Sequence, residues 1–275
     1  MLRCGRFTLP LERPLLMGVL NVTPDSFSDG GRFLGREAAV AQARRMLQEG
    51  AAIIDIGGES SRPGAHPVSE QAELARILPV LEALSPFDVP LSVDTRRARV
   101  MREALAAGAS MINDIDALTA PGALEAVAGT DCAVCLMHKQ GEPAGMQRDP
   151  HYEDVVREVR DYLAGRIAAA ERAGIGRTRI VADVGFGFGK TLRHNLELQR
   201  RLGEFAALGV PLLAGWSRKS SLGQITGRPV GERLAASVAA ALLAAQAGAR
   251  ILRVHDLGPT RDALAVWEAF RTGAT

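Results

Sequence analysis

Short apolar runs alternate along this chain with longer segments in which apolar residues recur every three to four positions. Runs that are apolar throughout are typical of strands covered on both faces, whereas the longer spacing is typical of helices. The runs predict strands at residues 15–22, 52–56, 91–93, 110–112, 133–137, 180–183, 212–214 and 251–254. The other segments predict helices at residues 36–49, 69–84, 97–107, 121–128, 152–173, 192–202, 231–247 and 259–270.

Polar residues stand at or near the C-terminal ends of four predicted strands, namely Asp55, Asp94, Asn113 and Asp183. A parallel barrel gathers such ends around one cavity. Because the units alternate without a linker or low-complexity break, we expect an α/β fold, a (β/α)₈ TIM barrel. Residues 1–275 form one predicted domain, with the barrel proper at about 15–272 after a short N-terminal hairpin. A doubly wound parallel sheet is the alternative.

Composition and charge exclude several classes of partner. The formal net charge is only +2, so no global field favours nucleic acid or a membrane surface, and any bound anion needs a local cluster. The start of the chain has no apolar core of a secretory signal, and the most apolar helix is shorter than a bilayer. Cys132 and Cys135 lie within an apolar run, which predicts buried thiols and a reducing, cytoplasmic setting.

Two long loops follow the first two predicted strands. Asn21 begins the segment NVTPDSFSDGG, which is long for a strand–helix connection and is interpreted as a mobile lid rather than a loop of Asx turns. The segment ESSRPG carries the hydroxyl of Ser61 and the guanidinium of Arg62, groups that suit an anionic ligand. An N-cap preamble to the next helix would explain Ser69 but not Arg62.

Asp94, Asn113 and Asp183 could each cap a helix, but together they offer acceptors and an amide to one cavity. A flat heterocycle with N–H and amino edges would need such a set. The glycine turn GFGFGK after Asp183 is not a nucleotide-binding loop, because Val184 occupies the position where that motif needs glycine. Its phenylalanines, Phe186 and Phe188, are predicted to divide between the core and the cavity rim.

Cations mark the last two predicted strand ends. Arg218 and Lys219 begin a helix, where the helix dipole disfavours them unless an anion or a carboxylate lies nearby. Strand alternation directs Arg253 and His255 into the barrel, and a buried arginine without a partner indicates a bound anion. Of the other histidines, His138 could line the rim, and no Cys/His spacing suggests zinc.

The phrases NVTPDSFSDGG, ESSRPG, SRKS and RVHD occur in this order, and they resemble the signatures of the dihydropteroate synthase family. Ser61 stands where the family usually has threonine, and Val184 replaces a frequent proline. The resemblance runs from Met17 to the last helix. It implies a transferase of folate biosynthesis that joins p-aminobenzoate to 6-hydroxymethyl-7,8-dihydropterin pyrophosphate, releasing pyrophosphate by an SN1-like route.

The resemblance also implies roles for particular residues. The implied catalytic residues are Asp94, Lys219, Arg253 and His255. Those for the pterin are Asp94, Asn113, Asp183, Lys219 and Arg253. Those for p-aminobenzoate are Phe27, Arg62, Pro63, Phe188, Lys219 and Ser220. Those for pyrophosphate are Asn21, Ser61, Arg62, Arg253 and His255, with Mg²⁺ held near Asn21. Family members are usually homodimers and are the targets of sulfonamides.

Three other functions compete with this interpretation. A pterin-binding methyltransferase domain shares the barrel and the acids but lacks the two loop signatures. A catalytically silent, pterin-binding paralogue would not need intact loops, Lys219 or Arg253. An aldolase-like barrel would use Lys219 or Lys190 as a Schiff base.

Overall fold

A closed barrel of eight parallel strands forms the centre of the protein. The computed structural model describes residues 1–22, 31–59, 68–143 and 145–273. The barrel confirms the (β/α)₈ prediction and excludes the doubly wound sheet. Two antiparallel strands, β1 (Leu2–Cys4) and β2 (Phe7–Leu9), form the predicted hairpin. The barrel strands are β3 (Leu15–Asn21), β4 (Ile53–Gly57), β5 (Leu91–Asp94), β6 (Met111–Asp114), β7 (Ala133–Met137), β8 (Ile180–Asp183), β9 (Leu212–Ala214) and β10 (Ile251–Val254).

Helices follow the barrel strands, largely where the spacing predicts them. They are α1 (Gly31–Gln48), α2 (Glu70–Leu84), α3 (Ala98–Ala106), α4 (Ala123–Ala128), α5 (Val155–Arg172), α6 (Leu192–Arg200), α7 (Ser220–Thr226), α8 (Leu234–Gln246) and α9 (Leu257–Thr272). The predicted start of α1 at residue 36 is wrong, because the helix continues through Gly35 despite the low helix propensity of glycine. The predicted helix start at Arg218 and Lys219 corresponds to the short α7, whose extent was not predicted, since it spans two turns and contains Gly223.

The two-residue period of each strand separates an inner core from an outer one. In β4, Ile53 belongs to the cluster inside the barrel, whereas Ile54 and Ile56 pack outward in the cluster that includes the helices. Asp55 shares the parity of Ile53 but lies nearer the C-terminal end of the strand. The barrel interior therefore changes along its axis from apolar to polar.

The N-terminal hairpin covers the apolar end of the barrel. Leu2 and Cys4 are fully buried and join the inner cluster. The backbone N–H of Gly5 donates to the carbonyl of Asp131 at 2.9 Å, and the Cys4 thiol donates to the carbonyl of Ser110 at 3.1 Å. With this end filled, the polar end of the barrel is the place for a ligand.

The buried thiols are confirmed. Cys132 and Cys135 are buried, and burial raises the pKa of both thiols, so they remain protonated and weakly nucleophilic at neutral pH. Among the described residues, no helix combines the length and the apolar character that crossing a membrane would require.

Candidate functional site

A cavity of about 760 Å³ opens at the C-terminal ends of the barrel strands. Every predicted site residue that lies in the described part of the chain lines it. These residues are Asn21, Asp94, Asn113, Asp183, Phe188, Lys219, Ser220, Arg253 and His255. The other predicted residues lie outside the described residues; they are Phe27, Ser61, Arg62 and Pro63. The proposed lid, 21–31, also lies mostly outside them.

Arg253 is held by two carboxylates on neighbouring strands. Its Nε donates to Asp55 Oδ2 at 2.6 Å, and its Nη2 donates to Asp94 Oδ2 at 2.9 Å. The expectation that this arginine lacks a protein partner is therefore wrong. The reason is the barrel itself, because β10 closes beside β3 and brings Arg253 to the inward acids of β4 and β5.

Asp55 is the site residue that the sequence interpretation left without a role. Its side chain is fully buried, and Oδ2 accepts hydrogen bonds from Arg253 and, at 3.2 Å, from Asn113 Nδ2. Oδ1 has no hydrogen-bond partner among the described residues. The sequence places Asp55 among the polar residues near strand ends but gives it no partner, and in the structure it is the third of the five residues of β4. One carboxylate therefore orients both the arginine and the amide of the cavity.

Burial and charge shift the acid–base properties of this cluster. Burial raises the pKa of Asp94 to about 7, while the nearby Arg253 opposes the rise and Asp55 adds to it. Burial disfavours the charge of Arg253, but the carboxylates of Asp55 and Asp94 outweigh this and raise the pKa of Arg253 above its ordinary value. Arg253 is thus a fixed cation whose charge supports the ionised form of Asp94 against the effect of burial.

Lys219 faces Asp183 across the cavity. Its Nζ donates to the carbonyl of Phe186 and lies 4.7 Å from the ring centroid of Phe188, a cation–π distance. Burial lowers the pKa of Lys219 to about 8, with Asp183 opposing the shift and Arg253 adding to it. Burial also raises the pKa of Asp183, and Lys219 opposes that rise. The two groups support each other's charged forms.

The glycine turn after β8 lies directly against the segment that follows β7. Gly185 and Gly189 have φ of 69° and 61°. A Cβ at Gly185 would lie 1.9 Å from the carbonyl oxygen of His138, and one at Gly189 would lie 2.2 Å from that of Gln140. Only glycine permits both the left-handed backbone and this close approach. The turn is thereby fixed next to Asp183.

Phe186 and Phe188 divide as predicted. Phe186 is fully buried and stacks on Trp216 with ring centroids 4.3 Å apart. Trp216 in turn donates from Nε1 to Gln199 Oε1 at 2.9 Å. Phe188 is half-buried and lines the cavity. The first ring anchors the turn in the core, and the second forms part of the cavity wall.

Ser217 orients the histidine at the end of β10. Its Oγ accepts from the backbone N–H of His255 at 3.1 Å and lies 2.9 Å from His255 Nδ1. The neighbouring Arg218 forms a two-point ion pair with Asp256, with Nη2 and Oδ1 at 2.6 Å. Arg218 thus has a carboxylate partner that offsets its unfavourable position before α7, whereas Lys219 is directed to the cavity.

Lys190 is a buried lysine that the sequence suggested only as a residue that could form a Schiff base. Its Nζ lies 2.9 Å from His138 Nδ1 and donates to the carbonyls of His138 and Phe188 at 3.2 and 3.0 Å. Burial lowers the pKa of Lys190 well below its usual value. His138 does not stand free on the rim. Its ring packs edge-on against Tyr162, and burial with the charge of Lys190 lowers its pKa to about 2.

The side chains that line the cavity suit a magnesium ion only if the substrate supplies further ligands to it. Among the described residues, no three His, Cys, Asp or Glu side chains are grouped to hold a metal. Asn21 lines the cavity and supplies one amide oxygen, a hard donor of the kind that Mg²⁺ accepts. Mg²⁺ usually keeps several waters and binds phosphate oxygens beside one or two protein ligands, so Asn21 is compatible with such a site.

Comparisons with known proteins agree with this geometry. The pterin binding enzyme family model matches residues 17–255. The dihydropteroate synthase of Haemophilus influenzae is 51% identical over 262 residues, 95% of each chain. A Yersinia pestis dihydropteroate synthase with a sulfonamide drug complex superposes with a TM-score of 0.93 at 50% identity, covering 98% of this chain and 99% of that one. The Xanthomonas albilineans enzyme with 4-aminobenzoic acid gives 0.91 at 54%, covering 96% and 95%.

The sequence signatures and the cavity of the structure indicate the same residues. The synthase signatures that the sequence carries fall, where they are described, around one polar cavity at the C-terminal end of a closed barrel. The relatives are similar over nearly the whole length of the chain. The chain therefore belongs to the pterin-binding enzyme family and, within it, to the dihydropteroate synthases, which are transferases.

Proposed function

We propose that the cavity residues form three binding sites for the dihydropteroate synthase reaction, one for the pterin, one for the pyrophosphate and one for p-aminobenzoate. The observation that carries this assignment is the shared cavity, which combines Asp183 and Asn113 with the cations Lys219 and Arg253. The Xanthomonas albilineans relative with bound 4-aminobenzoic acid supports the third site. The substrates are 6-hydroxymethyl-7,8-dihydropterin pyrophosphate and p-aminobenzoate.

The pterin ring binds at the strand ends of β6 and β8. Asp183 Oδ1 accepts from the backbone N–H of Gly185 at 2.7 Å, which fixes the carboxylate and leaves Oδ2 for the ligand. A carboxylate facing the amino and amide N–H groups of a pterin accepts strong, charge-assisted hydrogen bonds. Asn113 is oriented by Asp55 in the same way. Lys219 and Arg253 complete this site.

The pyrophosphate lies toward Arg253, His255 and Asn21. Arg253 already donates from Nε and Nη2 to Asp55 and Asp94, so its plane is fixed and its Nη1 edge is available to phosphate oxygens. Donors that are oriented before the reaction stabilise a leaving anion without reorganisation. Ser61 and Arg62, which lie outside the described residues, are assigned to the same anion by their sequence motif.

Departure of pyrophosphate breaks the bond between the pterin methylene and oxygen and leaves a cation that the electron-rich ring stabilises. Asp94, next to Arg253, stabilises this cation electrostatically. The neutral amine of p-aminobenzoate then forms the C–N bond and releases one proton. A cavity that excludes water at this stage protects the cation from hydrolysis.

The aminobenzoate binds on the wall formed by Phe188, Lys219 and Ser220. Phe188 offers an apolar face for the benzene ring, and the ammonium of Lys219 lies 4.7 Å from the centroid of the Phe188 ring. Ser220, at the start of α7, supplies a hydroxyl and the backbone N–H of a helix N-terminus. The proposed partners Phe27, Arg62 and Pro63 lie outside the described residues.

Magnesium is the proposed cofactor of pyrophosphate departure. When bound, Mg²⁺ supplies charge neutralisation to phosphate oxygens, and Asn21 is the described residue that would hold it. Replacement of Asn21 by alanine is expected to raise the Mg²⁺ concentration needed for half-maximal pyrophosphate binding. Titration calorimetry at several Mg²⁺ concentrations measures this. An unchanged Mg²⁺ requirement in the variant would remove Asn21 from the metal site.

The pH dependence of turnover is expected to report Lys219. Because the cation must be charged to bind its anionic partners, kcat/KM should fall as pH rises through about 8, the pKa to which burial lowers Lys219. In Lys219→Arg, whose side chain stays charged, this alkaline limb should move upward even if the rate is lower at every pH. Steady-state profiles of both proteins test this, and a limb at the same pH in both would assign it to another group.

We infer a homodimer from the apolar surface of α7, α8 and α9. Large apolar side chains are more than half exposed there, and such patches mark contact surfaces. They are Ile225, Leu243, Val266 and Phe270. Sedimentation velocity would give twice the chain mass for the dimer and one chain mass if the proposal is wrong.

A cytoplasmic location is likewise proposed, on the support of three buried free cysteines.

A further inference from the structure

The glycine turn Phe186–Gly189 is held by four side chains, two from the segment between β7 and α5, one before α7 and one directly after the turn. Its four consecutive carbonyl oxygens each accept a hydrogen bond from a side chain. The donors are Lys219 to Phe186, Gln147 to Gly187, Lys190 to Phe188 at 3.0 Å, and Tyr152 to Gly189 at 2.8 Å. Phe186 and Gly189 are buried and Gly187 and Phe188 are half-buried, so these carbonyls depend on protein donors, and the four side chains together fix the position of the turn.

Two N–H groups of the turn, and that of Gly185 just before it, are hydrogen-bonded too. Gly185 donates to Asp183 Oδ1, and Gly187 donates to Asn195 Oδ1, both at 2.7 Å. Phe188 donates to the carbonyl of Gly185 at 3.1 Å. The backbone that carries the Phe188 ring is therefore restrained on both its donor and its acceptor sides.

We propose that Tyr152 and Lys190 are positioning residues that fix the Phe188 ring as the aminobenzoate wall. Lys190 donates hydrogen bonds to the carbonyl of Phe188 itself and to that of His138, just after β7. It thereby connects the aminobenzoate wall to the barrel. Tyr152, just before α5, holds the next carbonyl, Gly189. Tyr152 does not line the cavity, and Lys190, which does, acts in this proposal through its hydrogen bond to Phe188.

The hydrogen bonds of Lys190 can form in either of its protonation states. Two N–H groups satisfy the carbonyls of His138 and Phe188 in either form. The remaining contact, to His138 Nδ1, can be donated by the ammonium or accepted by the amine, since the neutral imidazole has two tautomers. Lys190 thus holds the turn while its charge is disfavoured by burial.

Tyr162 provides a matched control for Tyr152. Both are half-buried tyrosines whose rings pack against His138, with centroids at 5.0 Å for Tyr162 and 6.0 Å for Tyr152. Tyr152 donates to the turn, whereas the turn's carbonyls receive nothing from Tyr162. Replacement of either residue by phenylalanine removes one hydroxyl beside the same imidazole, and only one of the two changes should reach Phe188.

The test compares Tyr152→Phe, Tyr162→Phe, Lys190→Met and Phe188→Ala by steady-state kinetics. Tyr152→Phe is expected to raise the KM for p-aminobenzoate about fivefold, the effect of one lost hydrogen bond, with kcat and the affinity for pterin pyrophosphate unchanged. Tyr162→Phe should leave all three quantities unchanged. Lys190→Met should raise the same KM more than tenfold if the variant folds, and Tyr152→Phe alone decides the matter if it does not.

This inference rests on the proposed role of Phe188, and the variants separate the two claims. A raised KM for p-aminobenzoate in Phe188→Ala, together with an unchanged KM in Tyr152→Phe, would overturn the positioning role and leave the wall in place. An unchanged KM in Phe188→Ala would overturn both. Equal losses in Tyr152→Phe and Tyr162→Phe, or a parallel loss of pterin affinity, would mean that Tyr152 acts only on the stability of the fold.

Discussion

Arg253→Met is expected to lose about a thousandfold in kcat/KM and to unfold at a markedly lower denaturant concentration. The variant removes the donor to the departing pyrophosphate, which accounts for the kinetic loss. It also leaves Asp55 buried without its cation and removes the partner of Asp94. Breaking a buried ion pair from one side costs about 3–5 kcal/mol of unfolding free energy. Urea unfolding and steady-state kinetics measure the two effects.

The control for this variant is Arg177→Met. Arg177 forms a two-point ion pair with Glu171, with both N–O distances at 2.9 Å, but the pair is exposed and precedes the N-terminal end of β8, whereas the cavity lies at the C-terminal ends of the strands. Exposed pairs contribute at most about 1 kcal/mol, so this variant should keep its turnover. If Arg253→Met were as stable and as active as Arg177→Met, the cluster of Arg253, Asp55 and Asp94 would not have the role assigned to it.

Asp183→Asn is expected to weaken pterin binding about 100- to 1000-fold. The substitution keeps the shape of the side chain, and its oxygen can still accept from Gly185, so the turn should survive. The amide presents N–H groups where the pterin also presents N–H groups, and it lacks the charge that Lys219 faces. Loss of two charge-assisted hydrogen bonds corresponds to about 3–4 kcal/mol. Calorimetric titration with a pterin measures the affinity.

Asp114→Asn serves as the comparison, since Asp114 is also a buried carboxylate at a strand end. Its oxygens accept from the backbone N–H groups of Asp116 and Leu118, both at 2.8 Å, and it does not line the cavity. This variant should lower stability without changing the pterin affinity. Equal pterin affinity in Asp183→Asn and the wild type would contradict the assignment of Asp183.

The sequence pattern predicts the barrel because strand and helix signals are local. The strand starting at residue 133 and the one starting at 180 have the bounds that their apolar runs predict. The polar strand ends follow from the same pattern, since parallel strands bring Asp94, Asn113 and Asp183 to one edge. For these residues the topology alone determines the neighbourhood.

What the sequence does not predict are the pairings between distant residues. Arg253 lies 198 positions from Asp55, and only closure of the barrel brings them together. The same holds for three donors to the turn at Phe188, namely Gln147, Tyr152 and Lys219, whereas the fourth donor, Lys190, is only two residues from Phe188. The extent of the short α7 was not predicted for a different reason, because two turns with a central glycine leave too weak a helical signal.

The most direct measurement is formation of dihydropteroate from pterin pyrophosphate and p-aminobenzoate in the presence of Mg²⁺, by the wild-type protein and by Lys219→Met. Lys219 lies over the Phe188 ring and near Asp183, and the proposal places it in the sites for both substrates. The account predicts product from the wild type and a loss of at least a hundredfold in the variant. A folded wild type that binds pterin but forms no product would contradict it and favour a silent, pterin-binding paralogue.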